Sequence, residues 1–290
     1  MTFSMEQKIN QLVASIKVHR VTLAAVAKHL RTPEICRAFD KWDHDSWCLK
    51  VTSEALVRLR LFIEQDSNFI GTISTIAVAR YIFELSVWLH LFKRDSRYGL
   101  VYYAQLIDTQ NRYWKDCHAQ IDREIELLQH FEKKESDARD EVSNQINPTT
   151  LKAVVDMVDK QAARRFSLYA EQAKANGYGF QAYLLKKKVV PKIKERIVKI
   201  VSEKNDFNSN VSQNVKDLIP SRWVWRQMAE KVDLTDEYDY IYTCSSKILH
   251  ATPASITTTH RDLEPAELVA FLKYINVKIQ DLIELAQEYS

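Results

Sequence analysis

The stretch Phe69–Phe92, FIGTISTIAVARYIFELSVWLHLF, is the most apolar part of the chain and decides its fold. It is long enough to span a bilayer, but Arg80 and Glu84 lie near its middle. Each charge would cost about 2.5–3.5 kcal/mol at a membrane centre. The longest run without a charge, Phe69–Ala79, is also shorter than a spanning helix requires. The stretch therefore predicts a central helix surrounded by other helices, with no membrane contact.

The composition of the whole chain also favours long helices. Its 290 residues are 46% hydrophobic and include only 4 glycines and 6 prolines, so few positions can break a helix. We predict an all-α fold: a helical bundle with a long charged helical hairpin inserted and no sheet. The predicted parts are the N-terminal part of the bundle (1–120, with the central helix at 69–92), the hairpin (121–176), and the basic helix with the C-terminal part of the bundle (177–290).

Local patterns predict individual elements. Ser4 and Gln7 have the spacing of a capping box at the start of the first helix. We expect a short helix near Ser53–Gln65, a polar linker at Asp206–Asn214, and a last amphipathic helix from Pro265 with apolar residues at helical spacing.

The segment YDYIYTCSSKILHATP, Tyr238–Pro253, carries polar groups four residues apart. At 100° per residue, Tyr238, Tyr242, Ser246 and His250 cover a 120° side of one helix. Arg80 and Glu84 on the central helix are the expected counterpart, because charges on so apolar a helix need partners. Two interpretations remain open: a buried structural network, or a functional site.

RYIFELSVWLHLF together with YIYTCSSKILHAT resembles a family of uncharacterised bacterial all-helical proteins. Its members carry an Arg-x-x-x-Glu helix and later a Tyr-x-x-x-Ser-x-x-x-His helix, here Arg80 and Glu84, then Tyr242, Ser246 and His250. The architecture is similar to HEPN-type domains. Many of these are metal-independent ribonucleases in toxin and phage-defence systems, and their Arg–His pair usually forms across a homodimer.

The resemblance implies an endoribonuclease or RNA-targeting toxin with no cofactor and no metal. RNA cleavage without a metal needs a base for the 2′-hydroxyl proton and a cation for the phosphate. We assign His250 as the base, Arg80 as the phosphate ligand, and Glu84 as the residue that orients either one, with hydrogen bonds from Tyr242 and Ser246. HEPN ribonucleases place Arg four to six residues before His. Only Arg112 and His118 suggest that spacing here, which chance alone explains.

Charge is unevenly distributed along the chain. Residues 160–204 hold 12 Lys/Arg against 3 acids, a net +9, whereas residues 121–147 hold 4 bases against 8 acids, a net −4. The basic stretch predicts binding of RNA or of an acidic protein partner. The residues assigned to nucleic-acid binding are Lys186, Lys187, Lys188, Lys192 and Lys194. Contact with a membrane is not expected, because no exposed aromatic anchor is predicted beside these lysines.

Other features of the sequence exclude more than they suggest. No P-loop, GxGxxG, GxSxG or HExxH motif occurs, which argues against several large enzyme classes.

Asp43, His44 and Asp45 are adjacent, and we expect that they cannot all reach one metal ion. The four cysteines have no CxxC spacing and are expected to be reduced and buried. With no secretory signal at the N-terminus, we expect a cytoplasmic protein. The alternative to an RNA-directed enzyme is a non-catalytic protein-interaction module.

Overall fold

The computed structural model describes residues 4–35, 38–65, 71–141, 148–250 and 263–289. It is 83% helical, and the residues described form no strand. The predicted all-α helical bundle is therefore confirmed.

The helices follow one another closely along the chain. In order they are α1 (Met5–His29), α2 (His44–Gln65), α3 (Thr72–Arg94), α4 (Tyr98–Glu141), α5 (Pro148–Ala162), α6 (Ala170–Asn176), α7 (Tyr178–Leu184), a π-helical segment π1 (Leu185–Val189), α8 (Val190–Asn210), α9 (Gln213–Lys216), α10 (Trp225–Glu230), α11 (Thr235–Glu237), a second π-helical segment π2 (Tyr238–Tyr242), α12 (Thr243–Leu249) and α13 (Pro265–Gln287).

The chain divides into two compact units. The first unit comprises Met1–Tyr103 and Val211–Ser290, and the second comprises Ala104–Asn210. One division thus falls inside α4 and the other directly after α8. The basic helix belongs to the second unit together with α5. The compact units divide at residues other than the predicted boundaries at 120/121 and 176/177, which stay a prediction.

Helix α3 is the central element of the first unit. It packs against α13, α12 and π2, while α1 packs against α2 and α13. Its length and composition would suit a membrane span, yet 67% of its most apolar window is buried inside the protein. Its fully buried side chains include Ile76, Ala79, Ile82, Phe83 and Val87. This burial fits the core helix predicted from the sequence.

Both ends of this unit follow the predicted local chemistry. The Ser4 hydroxyl accepts a hydrogen bond from the Gln7 amide at 3.2 Å, and the Gln7 side chain accepts one from the Ser4 amide at 2.9 Å. Helix α13 begins at Pro265 as expected. The apolar positions predicted from its periodicity are all buried: Leu268, Leu272, Ile275, Ile279, Leu282 and Leu285.

Two predicted boundaries are wrong. Helix α2 begins at His44 rather than near Ser53, because the Asp43 carboxylate accepts the Ser46 amide at 2.8 Å and starts the helix there. The expected linker at Asp206–Asn214 begins inside a helix, since α8 continues to Asn210. Phe207 is 3% exposed and holds the last turns of α8 in place.

The second unit has its own apolar core. Its buried residues come from α4, α5 and the α6–α8 segment, and include Leu128, Phe131, Val158, Leu185 and Ile193. Pro191 has no amide proton and would clash with the carbonyl four residues earlier in a regular α-helix. The π1 segment accommodates it: the Val190 amide donates to the Leu185 carbonyl, five residues back.

Candidate functional site

A polar cluster joins α3 to the π2–α12 segment in the first unit. The Arg80 guanidinium donates three hydrogen bonds: Nε to Glu84 Oε1 at 3.1 Å, Nη1 to Ser246 Oγ at 3.2 Å, and Nη2 to the Tyr242 hydroxyl at 3.1 Å. Its carbon Cζ also lies 4.5 Å from the centroid of the Tyr242 ring. Arg80 therefore links the two helical segments through a charged group with a fixed orientation.

Aromatic packing holds Tyr242 in this position. Its ring stacks on Tyr238 with centroids 4.9 Å apart and an interplanar angle of 17°. Phe83 of α3 and Trp225 of α10 contact it from other directions, at 5.7 and 6.5 Å between centroids. The two tyrosines are four residues apart and lie on the same side of the π-helical segment Tyr238–Tyr242.

A second polar anchor fixes the start of the same segment. The Glu237 carboxylate accepts a hydrogen bond from the Tyr274 hydroxyl at 3.0 Å and pairs with Lys278 Nζ at 2.7 Å, both on α13. The π2–α12 segment is thus attached to α3 through Arg80 and to α13 through Glu237. The pairing with Lys278 also offsets one of the acidic charges that precede the cluster.

The cluster is partly open to solvent. The side chains of Arg80 and Glu84 are 24% and 29% exposed. Burial raises the pKa of Tyr242 above its ordinary value, although the nearby Arg80 cation lowers it, so the phenol keeps its proton at neutral pH. A guanidinium has five N–H groups. Among the residues that the structure describes, side chains accept hydrogen bonds from three of the N–H groups of Arg80. The remaining N–H groups are the chemical basis for binding an anion.

The structure brings together four of the five predicted site residues: Arg80, Glu84, Tyr242 and Ser246. His250 directly follows α12, its amide donates to the Ser246 carbonyl at 3.3 Å, and its side chain is exposed. Thr252 and Pro253, which end the segment quoted from the sequence, lie outside the described residues. The contact between the Tyr–Ser helix and the Arg–Glu helix is present, and the catalytic roles stay a prediction.

The basic residues assigned to nucleic-acid binding lie on the surface of the second unit. All five side chains are exposed: Lys186, Lys187, Lys188, Lys192 and Lys194. The expectation of no exposed aromatic group beside them is wrong, because Phe180 and Tyr183 are 55% and 54% exposed. Aromatic residues commonly anchor a core, as Tyr178 on the same helix does at 4% exposure, so no signal in the sequence distinguishes the exposed Phe180 and Tyr183 from it.

Contrary to the expectation from the sequence, Asp43, His44 and Asp45 lie close enough together to reach one metal ion. Potential ligand atoms of Asp43, His44 and Asp45 all lie within 4.8 Å of one another, because the chain turns into α2 at this point. Their contacts are those of a helix start: Asp43 accepts the Ser46 amide, and His44 Nδ1 lies 2.9 Å from Asp45 and 3.0 Å from the Ser96 hydroxyl. Asp43 and Asp45 also line a cleft of about 930 Å³.

Two further sequence features have ordinary structural roles. His118 pairs with Asp122 at 2.9 Å on α4, while Arg112 is exposed. Among the described cysteines Cys48, Cys117 and Cys244 are free thiols, and only Cys48 is fully buried. Burial raises the pKa of the Cys48 thiol to about 12, which makes it unreactive at neutral pH. Cys36 lies outside the described residues.

Comparison with known proteins gives no family for this chain: no family model matches it, and no curated protein or solved structure is significantly similar to it.

Proposed function

We propose that this protein is a metal-independent endoribonuclease, acting as an RNA-targeting toxin in bacterial defence, with its site at the Arg80 cluster. The observation that supports this function most is the fixed orientation of the Arg80 guanidinium against α12, the helix that His250 directly follows. A cation held in advance at the place where negative charge develops needs no reorganisation during the reaction. That property distinguishes a phosphate-binding arginine from a mobile surface arginine.

The proposed reaction uses the four residues of the cluster together with His250, which follows α12. The His250 imidazole removes the proton from the 2′-hydroxyl, and the oxygen attacks the adjacent phosphate. The P–O5′ bond breaks, a 2′,3′-cyclic phosphate forms, and the departing 5′-oxygen takes up a proton from water. Arg80 binds the non-bridging phosphate oxygens, and Glu84 keeps its guanidinium in place through the bond to Nε. The Tyr242 and Ser246 hydroxyls accept from Arg80, so their own protons are directed elsewhere and can be donated to the phosphate.

The charges nearest the cluster affect this proposal. Four acids, Asp233, Asp236, Glu237 and Asp239, precede the site helix and would repel a phosphate. Glu237 is paired with Lys278 at 2.7 Å, and Asp233 lies 3.9 Å from Arg94. The repulsion is therefore weaker than the sequence suggests.

A second function is favoured by the same contacts. Each of the three guanidinium nitrogens of Arg80 already donates to a side chain, and Tyr242 is packed among aromatic rings. A network this well satisfied also suits a structural link that sets the register of α3 against α12. In that case the protein is a non-catalytic interaction module.

Induced expression in a bacterium separates the two functions. Wild type is compared with His250→Gln and Arg80→Lys, scoring growth and the integrity of total RNA. Arg20→Leu, which removes an exposed arginine from α1, is the matched control. The ribonuclease proposal expects growth arrest and fragmented RNA with wild type and Arg20→Leu only, with all proteins folded by thermal melt. Intact RNA with every variant would favour the interaction module.

A further inference from the structure

Two exposed aromatic rings lie on one face of α7. Phe180 and Tyr183 are three residues apart, and their rings stack with centroids 6.4 Å apart and an interplanar angle of 22°. Each ring is more than half exposed. The opposite side of the same helix faces the core of the second unit through Tyr178 and Ala182. The rings are therefore held outward by the packing of their own helix.

The exposed lysines continue from these rings along the chain. Because π1 widens the turn, both Lys187 and Lys188 lie about one turn after Tyr183, and Lys192 lies about one turn further. Leu185 and Ile193 are buried in the core, so the lysines between them point outward. The surface formed by Phe180, Tyr183, Lys186–Lys188, Lys192 and Lys194 is named the aromatic–basic surface below.

The positive charge of this surface is not neutralised by its described neighbours. Within residues 104–141 and 148–210, no carboxylate forms an ion pair with these five lysines, whereas Lys199 on the same helix pairs with Glu195 at 2.7 Å. The Glu132 carboxylate lies against Gly179, at the opposite end of α7 from the lysines. The aromatic–basic surface therefore offers stacking groups at one end and several phosphate ligands at the other.

We infer that the aromatic–basic surface binds single-stranded RNA, with bases stacked on Phe180 and Tyr183 and the phosphate backbone along the lysines. Stacking on exposed rings together with a basic track is how proteins bind single strands with little sequence preference. A duplex hides the faces of its bases, so the rings would select single strands. Only the choice of RNA rests on the proposed function.

A membrane fits this surface less well. An interfacial helix inserts its own apolar face between lipids and keeps its basic face in water. Here the apolar face, with Tyr178, Leu185 and Ile193, is already buried in the core of the second unit. The exposed rings lie in line with the lysines rather than opposite them.

Fluorescence anisotropy tests the inference with the full-length protein. The probe is a 5′-fluorescein single-stranded 12-mer RNA with 2′-O-methyl groups, which block attack by the 2′-hydroxyl. We expect Phe180→Ala and Tyr183→Ala each to weaken binding about 5- to 150-fold. The control Tyr113→Ala, which removes a 58% exposed ring from α4, should leave the affinity unchanged.

The salt dependence tests the lysines separately. Five phosphate contacts predict a slope of about −3.5 for log K against log salt concentration on a single strand. Replacing Lys186, Lys187 and Lys188 by Gln should reduce that slope by about 2. Replacing three exposed lysines of α4 and α5, Lys133, Lys152 and Lys160, should leave it nearly unchanged.

Three results would overturn the inference: equal affinity for a 12-base-pair duplex, no effect of either ring substitution, or tighter binding to phosphatidylserine vesicles than to the RNA. The proposed ribonuclease function fails separately. If the probe binds as expected but unmodified RNA is never cleaved, the aromatic–basic surface stands and the catalytic assignment does not.

Discussion

Removal of the Arg80 guanidinium is the perturbation whose effect follows most directly from the structure. Arg80→Leu keeps the apolar stem and deletes three hydrogen bonds and a cation–π contact. Hydrogen bonds to charged groups contribute about 1.5–3 kcal/mol when buried, but partly exposed ion pairs contribute less than about 1 kcal/mol. Since Arg80 and Glu84 are about a quarter exposed, we expect the free energy of unfolding to fall by about 2–3 kcal/mol.

Differential scanning calorimetry measures this loss. For a protein of this size each kcal/mol corresponds to about 2–4 °C in Tm, so Arg80→Leu should melt about 4–12 °C below wild type. A double-mutant cycle with Tyr242→Phe isolates one contact, because that change removes the hydroxyl and keeps the ring on Tyr238. We expect a coupling energy of about 0.5–1.5 kcal/mol.

The control for this experiment is Arg20→Leu, an exposed arginine on α1 that should change stability by less than about 0.5 kcal/mol. Equal Tm values for Arg80→Leu and Arg20→Leu would contradict this prediction. So would strict additivity of Arg80→Leu and Tyr242→Phe, because the two groups would then not interact.

Three further predictions concern the packing that supports the two units. Gly99→Ala should cost about 1–3 kcal/mol, because the new Cβ would lie 2.1 Å from the His44 carbonyl oxygen, a backbone atom that cannot move alone. Tyr274→Phe should reduce the loss of stability that occurs above about pH 10. Burial, and then Glu237, raise the pKa of Tyr274 in the folded protein, so this phenol stays protonated when folded but ionises when unfolded. Its contribution to the free energy of unfolding is therefore lost as the pH rises. Glu124→Gln should cost about 1–3 kcal/mol in the second unit, because this 1% exposed carboxylate accepts three hydrogen bonds.

Each of these predictions has a matched comparison in urea or thermal unfolding. Gly179→Ala should cost less than Gly99→Ala, since its Cβ meets only the flexible Glu132 side chain. The difference in stability between wild type and Tyr274→Phe should be constant near neutral pH and should change only in alkali, so parallel stability curves from about pH 8 to 11 would contradict the assignment. Glu126→Gln, on the exposed side of the same helix as Glu124, should be nearly neutral; a cost equal to that of Glu124→Gln would contradict the role of the buried carboxylate.

Features with strong local signals could be predicted from the sequence. The apolar run around Arg80 and the periodicity after Pro265 identify helices whose buried faces match the structure. The meeting of Arg80 with Tyr242 and Ser246 also follows from sequence, because a charged residue on an apolar helix requires a polar partner from elsewhere. These predictions depend on burial and hydrogen bonding, which single segments encode.

Features that depend on tertiary packing could not be predicted. The exposure of Phe180 and Tyr183 is set by which side of α7 packs against the core of the second unit. Residue type alone does not distinguish a buried aromatic side chain from an exposed one. The π-helical turns shift the phase of the side chains, so a strict 100° step does not describe side-chain positions through Tyr238–Tyr242. The start of α2 depends on a cap at Asp43 within a stretch that reads as a loop.

The proposed cleavage of RNA by His250 and Arg80 can be measured with purified proteins. Purified wild type and His250→Gln are incubated with a 5′-labelled single-stranded RNA in EDTA, and with the same RNA carrying one 2′-deoxy residue. Thermal melts check that both proteins are folded. We expect cleavage by wild type, none by His250→Gln, and none at the 2′-deoxy position. Intact RNA with wild type, or equal cleavage by both proteins, would contradict it.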